Sequence, residues 1–148
     1  MPRKATAEDA KIIMRLYDLR RETELRKARS WYASWWPRSA DEIVQMISAP
    51  ANPQENAWFR QVNGYWEMAA SFVWNGVLNE KMFVETNGEM WFVLSKLQPF
   101  LKEVRQKAGL PHAFERVEKL ATRTKEGRER LQAFSNRAEA RRAAAAKV

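Results

Sequence analysis

Apolar residues recur along most of this chain at three- and four-residue intervals, the spacing that lines up one face of an α-helix. Ile12, Leu16, Leu19 and Thr23 open the first stripe, with Arg15, Arg20, Arg26 and Arg29 mostly off it, and predict a helix from about Ala7 to Trp35 or Trp36. Ile43, Val44, Met46 and Ile47 predict a short second helix over 40–49. A third, over 53–78, carries Trp58, Val62, Tyr65, Trp66, Ala69, Phe72, Val73 and Val77. The fourth covers 88–108 through Trp91, Leu94, Leu97, Leu101 and Val104, and Pro99 inside it should bend it. Phe114, Val117 and Leu120 mark a fifth over 112–122, and a last segment, 125–146, shows only Leu131, Phe134 and alanines. The expected fold is all-α: a single-domain bundle of five to six helices with a long N-terminal helix, a Pro-bent fourth helix and a weakly packed basic C-terminal helix. Residues 1–124 read as the helical core and 125–148 as a basic, Ala-rich helix or tail.

Helix boundaries support this reading. Thr6 with Asp9, Ser39 with Glu42, Asn52 with Glu55, and Thr86 with Glu89 each place a capping side chain three residues before a carboxylate. Pro53 suits a first helical position, and Pro37, Pro50 and the Gly109–Pro111 pair mark stops. One rival pattern exists. Asn-Gly recurs at 63–64, 75–76 and 87–88, and Asn-Gly is a strong hairpin signal, so residues 57–97 admit a four-stranded meander. A strand over 77–86 would put Asn79, Lys81 and Glu85 on the face of Val77 and Phe83, and Met68-Ala69-Ala70 favours helix. Helix is the preferred reading.

Composition narrows the function classes. The chain has 148 residues and no cysteine, which excludes disulfides, thiolate catalysis and cysteine-ligated metals. The N-terminus lacks an apolar signal region. The longest weakly polar run, Met68–Leu78, falls short of the roughly 18 residues a membrane span needs. The expectation is therefore a cytoplasmic, soluble protein. Net charge is +8, placed unevenly: +4 over residues 1–30, −3 over 31–100 and +7 over 101–148. The middle stretch holds all seven tryptophans, so the core is made there and the positive charge sits on the ends.

Few residues offer chemistry. Glu67 lies alone in an apolar segment and reads either as a buried acid paired with Arg105 or as a solvent-edge carboxylate. Glu80, Glu85 and Glu89 cluster around a turn but match no metal-loop spacing, and Glu89 already reads as a cap residue. His112, the only histidine, has no nucleophile motif around it, and the five glycines are isolated, so no phosphate loop exists. The expectation is a non-enzymatic protein with no metal and no cofactor.

Two features invite partners. The cluster Trp31, Tyr32, Trp35 and Trp36 spans too wide an arc for one helix face: Trp31 and Trp35 share a face, with Tyr32 and Trp36 about 100° further round. It reads as an interaction patch for a protein partner or a second copy, as a membrane-interface anchor flanked by Arg29 and Arg38, or as aromatics buried between neighbouring helices. Arg20, Arg21, Arg26 and Lys27 on the first helix, with Arg128, Arg130, Arg141 and Arg142 on the tail, are candidate phosphate contacts for non-specific nucleic-acid binding. Interleaved acids at helical spacing favour a solvated charged face instead. The favoured function is a protein-interaction or scaffold module that self-associates as a homo-oligomer such as a dimer, with weak nucleic-acid binding as the alternative and peripheral membrane association third.

Asn63-Gly64-Tyr65-Trp66-Glu67, then Phe72-Val73-Trp74-Asn75-Gly76-Val77-Leu78, then Trp91, Pro99 and Arg105 form a pattern over roughly 55–105. It resembles a small bacterial family of all-helical proteins of unknown function. The resemblance implies a helix ending at a glycine, a short helix around Glu80–Val84, and a long helix carrying Trp91 through Arg105. It implies no activity, cofactor or partner.

Overall fold

The structure, a computed structural model, describes residues 3–147. Its elements in chain order are α1 (Ala7–Arg20), α2 (Thr23–Ser34), α3 (Ala40–Ser48), α4 (Pro53–Trp74), α5 (Glu80–Thr86), α6 (Glu89–Leu97), a 3-10 turn (Gln98–Phe100), α7 (Leu101–Ala108), α8 (Glu115–Thr122) and α9 (Lys125–Ala146). No strand occurs among the described residues, which removes the meander. The segments outnumber the five to six helices expected, and the divisions have local causes.

The long N-terminal helix is broken. Arg21 ends α1, and Glu22 leaves helical geometry (φ −57°, ψ 138°) so that its carboxylate accepts the Leu25 N–H and caps α2. No proline or glycine marks the break, and the capping group is a glutamate rather than a serine or asparagine, so the sequence hid it. Pro99 acts as expected and divides the fourth helix into α6, the 3-10 turn and α7. The short helix around Glu80–Val84 is present as α5, started by Asn79, whose side chain accepts from the Met82 N–H. α8 begins later than expected, after Phe114, whose φ of 59° is left-handed.

The capping reading holds at Thr6–Asp9, Ser39 and Asn52. It fails at Thr86–Glu89. Thr86 donates its hydroxyl back to Met82 and Phe83 carbonyls, α6 has no side-chain cap, and Glu89 is engaged elsewhere. Of the Asn-Gly pairs, one lies inside α4, one opens α6, and one ends α4 with Gly76 at φ +74°.

α4 lies between α2 and α8, α6 packs on α9 and α8, and α3 packs on α7. The core gathers where these layers meet: Trp66 and Trp91 are fully buried with Phe83, Met90, Leu94 and Leu101. Each such side chain contributes about 1.5–3 kcal/mol on burial. The Trp91 indole N–H donates to the Ala121 and Gly127 carbonyls at 3.3 and 3.0 Å, tying α6 to the α8–α9 corner. That corner requires a glycine, since a Cβ on Gly127 would sit 2.3 Å from the Ala121 carbonyl oxygen. α9 continues from there, burying Leu131 and Ala138 and leaving most of its length exposed.

Candidate binding cleft between α2, α6 and α9

The C-terminal end of α2 leaves carbonyls without helical partners and carries the negative end of the helix dipole. Lys96 of α6 fills that position. Its ammonium donates to the carbonyls of Tyr32 (2.5 Å), Ala33 (3.1 Å) and Trp35 (2.6 Å), and the side chain is fully buried. Trp36, Phe92 and Tyr32 surround it, with ring centroids 3.9, 4.7 and 5.4 Å from the nitrogen. Among the described residues no carboxylate pairs with it. Burial, reinforced by nearby Arg142 and Arg141, pulls its pKa down to about 7. Three carbonyls and the π-faces thus replace water around a lysine that has no counter-ion.

Arg142 repeats this arrangement from α9. It donates to the carbonyls of Pro37 (3.0 Å), Lys96 (3.1 Å) and Ser95 (3.4 Å) and lies 5.1 Å over the Phe100 ring. Burial lowers its pKa as well. The two cations lash the end of α2, the end of α6 and the end of α9 together through backbone oxygens.

Above this junction lies a cleft of about 620 Å³. Trp36, Phe92 and Phe134 form its half-buried floor, Ala33 and Ala140 its sides, and exposed Arg137 and Arg141 its rim. The floor rings meet edge to face, Trp36–Phe92 at 6.1 Å and Phe92–Phe134 at 6.2 Å. Phe134, Arg137 and Arg141 share one stripe of α9; Leu131, Ala138 and Arg142 form the adjacent stripe that docks on the bundle. Neither Arg137 nor Arg141 has a carboxylate partner among the described residues. The junction therefore gathers four basic side chains, none in an ion pair among the described residues, around an apolar floor.

The aromatic cluster is divided rather than displayed, which corrects the exposed interaction patch. Tyr32 is buried. Trp31 and Trp35 stack at 5.4 Å and pack toward Trp58 and Phe59 of α4, while Trp36 turns to Phe92 of α6. The arc argument assumed one helix through residue 36. α2 stops at Ser34, and Trp35 is extended (φ −84°, ψ 126°), so Trp36 reaches a different neighbour.

The expected Glu67–Arg105 pair is also corrected. Glu67 accepts the Val117 and Arg116 backbone N–H groups at the start of α8, at 2.8 and 3.3 Å, and burial raises its pKa. Arg105 pairs with Glu118 at 3.0 Å and donates to the Ala113 carbonyl. Of the candidate phosphate contacts, Arg20 is buried against Glu89, Arg21 pairs with Asp18 and Lys27 with Glu24. Arg26 is exposed. Arg128 turns to the Thr122 carbonyl, and Arg130 to Val84 and Glu126 while covering Trp91. Only Arg141 and Arg142 fall at the cleft. Glu80, Glu85 and Glu89 are dispersed onto Arg123, Lys81 and the Arg20–Arg29 pair, and His112 lies exposed beside Glu115.

Lys96 and Phe92 were missed from sequence. A signal existed for one of them: Lys96 is the lone charge between Trp91 and Leu101, a stretch in which every other turn is core. No described helix is long and apolar enough to cross a membrane. No curated protein and no solved structure matches the chain. A family model, described as a domain of unknown function (DUF4760), matches residues 5–124, everything from just before α1 to the end of α8, and the chain belongs to that family.

Proposed function

We propose that the chain is a non-enzymatic interaction module whose binding face is the α2–α6–α9 cleft, taking a partner that is both apolar and anionic. The observation that carries this reading is the pairing of a three-ring floor with arginines left without carboxylates. Groups elsewhere that have perturbed proton affinity are already committed to structure. Asp9 is held well below the usual carboxylate range by Arg3, Thr6 and Asn79, and Glu67 caps α8. Pockets of this size, mostly apolar with a few convergent polar groups, are the usual form of a ligand site.

The test is a titration with 4-phenylbutyrate, an aryl carboxylate fragment, followed by NMR. Saturable shifts are expected at the Trp36 indole and the amides of 134–141, and much weaker ones with 4-phenylbutylamine. Silence at these positions, or an equal response to the amine, overturns the reading. Homodimer formation, through the aromatic end or the C-terminal helix, is tested by light scattering: a strictly monomeric chain at high concentration removes it.

A second reading rests on Trp74, which is exposed where α4 ends. Arg123, Arg116 and Lys119 bring cations within 5.2–5.8 Å of its ring. An aromatic face amid cations suits a stacked base of single-stranded nucleic acid. Salt-sensitive quenching by an oligonucleotide, lost in Trp74→Leu, would support it; salt-independent or absent quenching removes it.

A further inference from the structure

We infer that the occupant of the cleft is an acidic amphipathic helix of a partner protein, lying alongside α9. This rests on the reading of the α2–α6–α9 cleft as the binding face, and adds what kind of segment fills it.

The dimensions point to a helix. The cleft-facing stripe runs from Phe134 to Arg141, about 10 Å and two turns of α9. Floor rings follow one another at 6.1 and 6.2 Å. A partner helix repeats its apolar side chains every turn, about 5.4 Å, so residues at i and i+4 reach successive rings. Arg137 and Arg141 are four residues apart, about 6 Å along α9, so carboxylates one turn apart on the partner meet both. Guanidinium groups bind planar carboxylates with two parallel hydrogen bonds, which favours Glu or Asp over a single diffuse charge.

An extended segment has a similar side-chain repeat but fits poorly. It must find partners for its backbone N–H and C=O groups, and the cleft is lined by side chains of helices whose own backbones are satisfied. A helix brings its backbone bonds with it. Ala33 and Ala140 on the sides leave room for the close approach that helix packing needs, with axes about 8–10 Å apart. Charge complementarity disfavours a basic amphipathic helix, since Arg137 and Arg141 on the rim make no ion pair among the described residues and stand beside Lys96 and Arg142.

The experiment uses the full chain and three synthetic helices of about 18 residues, long enough to populate the helical state. One carries apolar residues at i and i+4 with glutamates at i+1 and i+5; the second replaces those glutamates with lysines; the third keeps the composition but puts acids and apolar residues on opposite faces. Calorimetry should show the first binding at least about tenfold more tightly than either control. Arg137→Glu with Arg141→Glu should weaken it by a similar factor and favour the lysine peptide. Phe134→Ala should weaken it without that reversal, and circular dichroism confirms that the variants fold.

Equal affinity for the third peptide, or indifference to the double charge reversal, overturns the inference. So does light scattering that shows a second copy of the chain filling the cleft, or an oligonucleotide that displaces the fragment when the acidic helix does not. If 4-phenylbutyrate occupies the cleft and no acidic helix binds, the helical partner falls and the binding face stands. If neither binds, both fall.

Discussion

At its two ends α6 gathers cations from distant helices, and the two ends neutralise them differently. At the N-terminal end Glu89 receives Arg20 of α1 and Arg29 of α2, each at 2.8 Å, with the positive end of the α6 dipole behind it. Arg20 also lies over the Tyr17 and Trp66 rings at 4.6 and 4.7 Å. At the C-terminal end Lys96 and Arg142 are solvated by backbone carbonyls and aromatic faces, and Arg137 and Arg141 stand beside them without an ion pair among the described residues. The first junction is closed by ion pairs: one carboxylate bridges two guanidinium groups and offsets half their charge, although the buried Arg20 Nε has no hydrogen-bond partner. The second is open: it joins α2 and α6 to α9 instead of α1, with no ion pair to Lys96, Arg137, Arg141 or Arg142 among the described residues. That absence of ion pairs beside an apolar cleft is what separates a structural junction from a binding face.

The largest expected effect comes from removing the open junction outright. Truncation after Thr124 takes away α9, uncovers Trp91 and forfeits Leu131 and Phe134, at a cost of about 4 kcal/mol or more. Urea unfolding of the truncated chain should show a weakened or lost cooperative transition. An undiminished transition would mean that α9 contributes little, and the comparison would collapse.

Glu89→Gln attacks the closed junction. It leaves buried Arg20 without its carboxylate and should cost about 3 kcal/mol in the same assay. Lys96→Met attacks the open one by leaving carbonyls at the α2 end unmet. Its cost should be smaller, about 1–3 kcal/mol, because no charge is stranded. A larger loss for Lys96→Met than for Glu89→Gln would invert the ranking of the two junctions.

Acidity gives a finer test of the open end. The Lys96 pKa lies near 7 in the folded chain, against an ordinary 10.5. Between these values the unfolded chain binds the extra proton, so stability should rise with pH across this window. The wild type should therefore gain on Lys96→Met between pH 7 and 10, read as the difference of their urea midpoints. A flat difference would mean that the carbonyl shell holds the charged form throughout. The smallest effect is expected for Arg137→Glu with Arg141→Glu, within about 0.5 kcal/mol, since both are exposed and neither makes an ion pair among the described residues. Marked destabilisation there would make the rim structural and remove the contrast.

Much of the fold was legible because its determinants are local. Ser39, Asn52 and the Thr6–Asp9 box start helices by bonds that span three residues, and Pro99 breaks one by its own ring. Glu22 shows the limit of that legibility: a glutamate cap at 22 looks like any exposed acid until the chain turns. The cleft was less legible. Arg141 and Arg142 stood out as charges, but only as part of a basic run, and Trp36 only as one of four neighbouring aromatics.

The sequence by itself determined that this chain is helical, where most helices begin and end, and that Trp66 and Trp91 belong to the core, because periodicity and capping act within a few residues. Only the tertiary structure decided how the charges are spent. Glu89 looked like a cap for its own helix and instead binds arginines 60 and 69 residues away. Lys96 drew no reading from the sequence, yet it closes the end of a helix 61–64 residues earlier. Charge partners are chosen by proximity in the folded state, and proximity at that separation is set by packing, which no local pattern encodes.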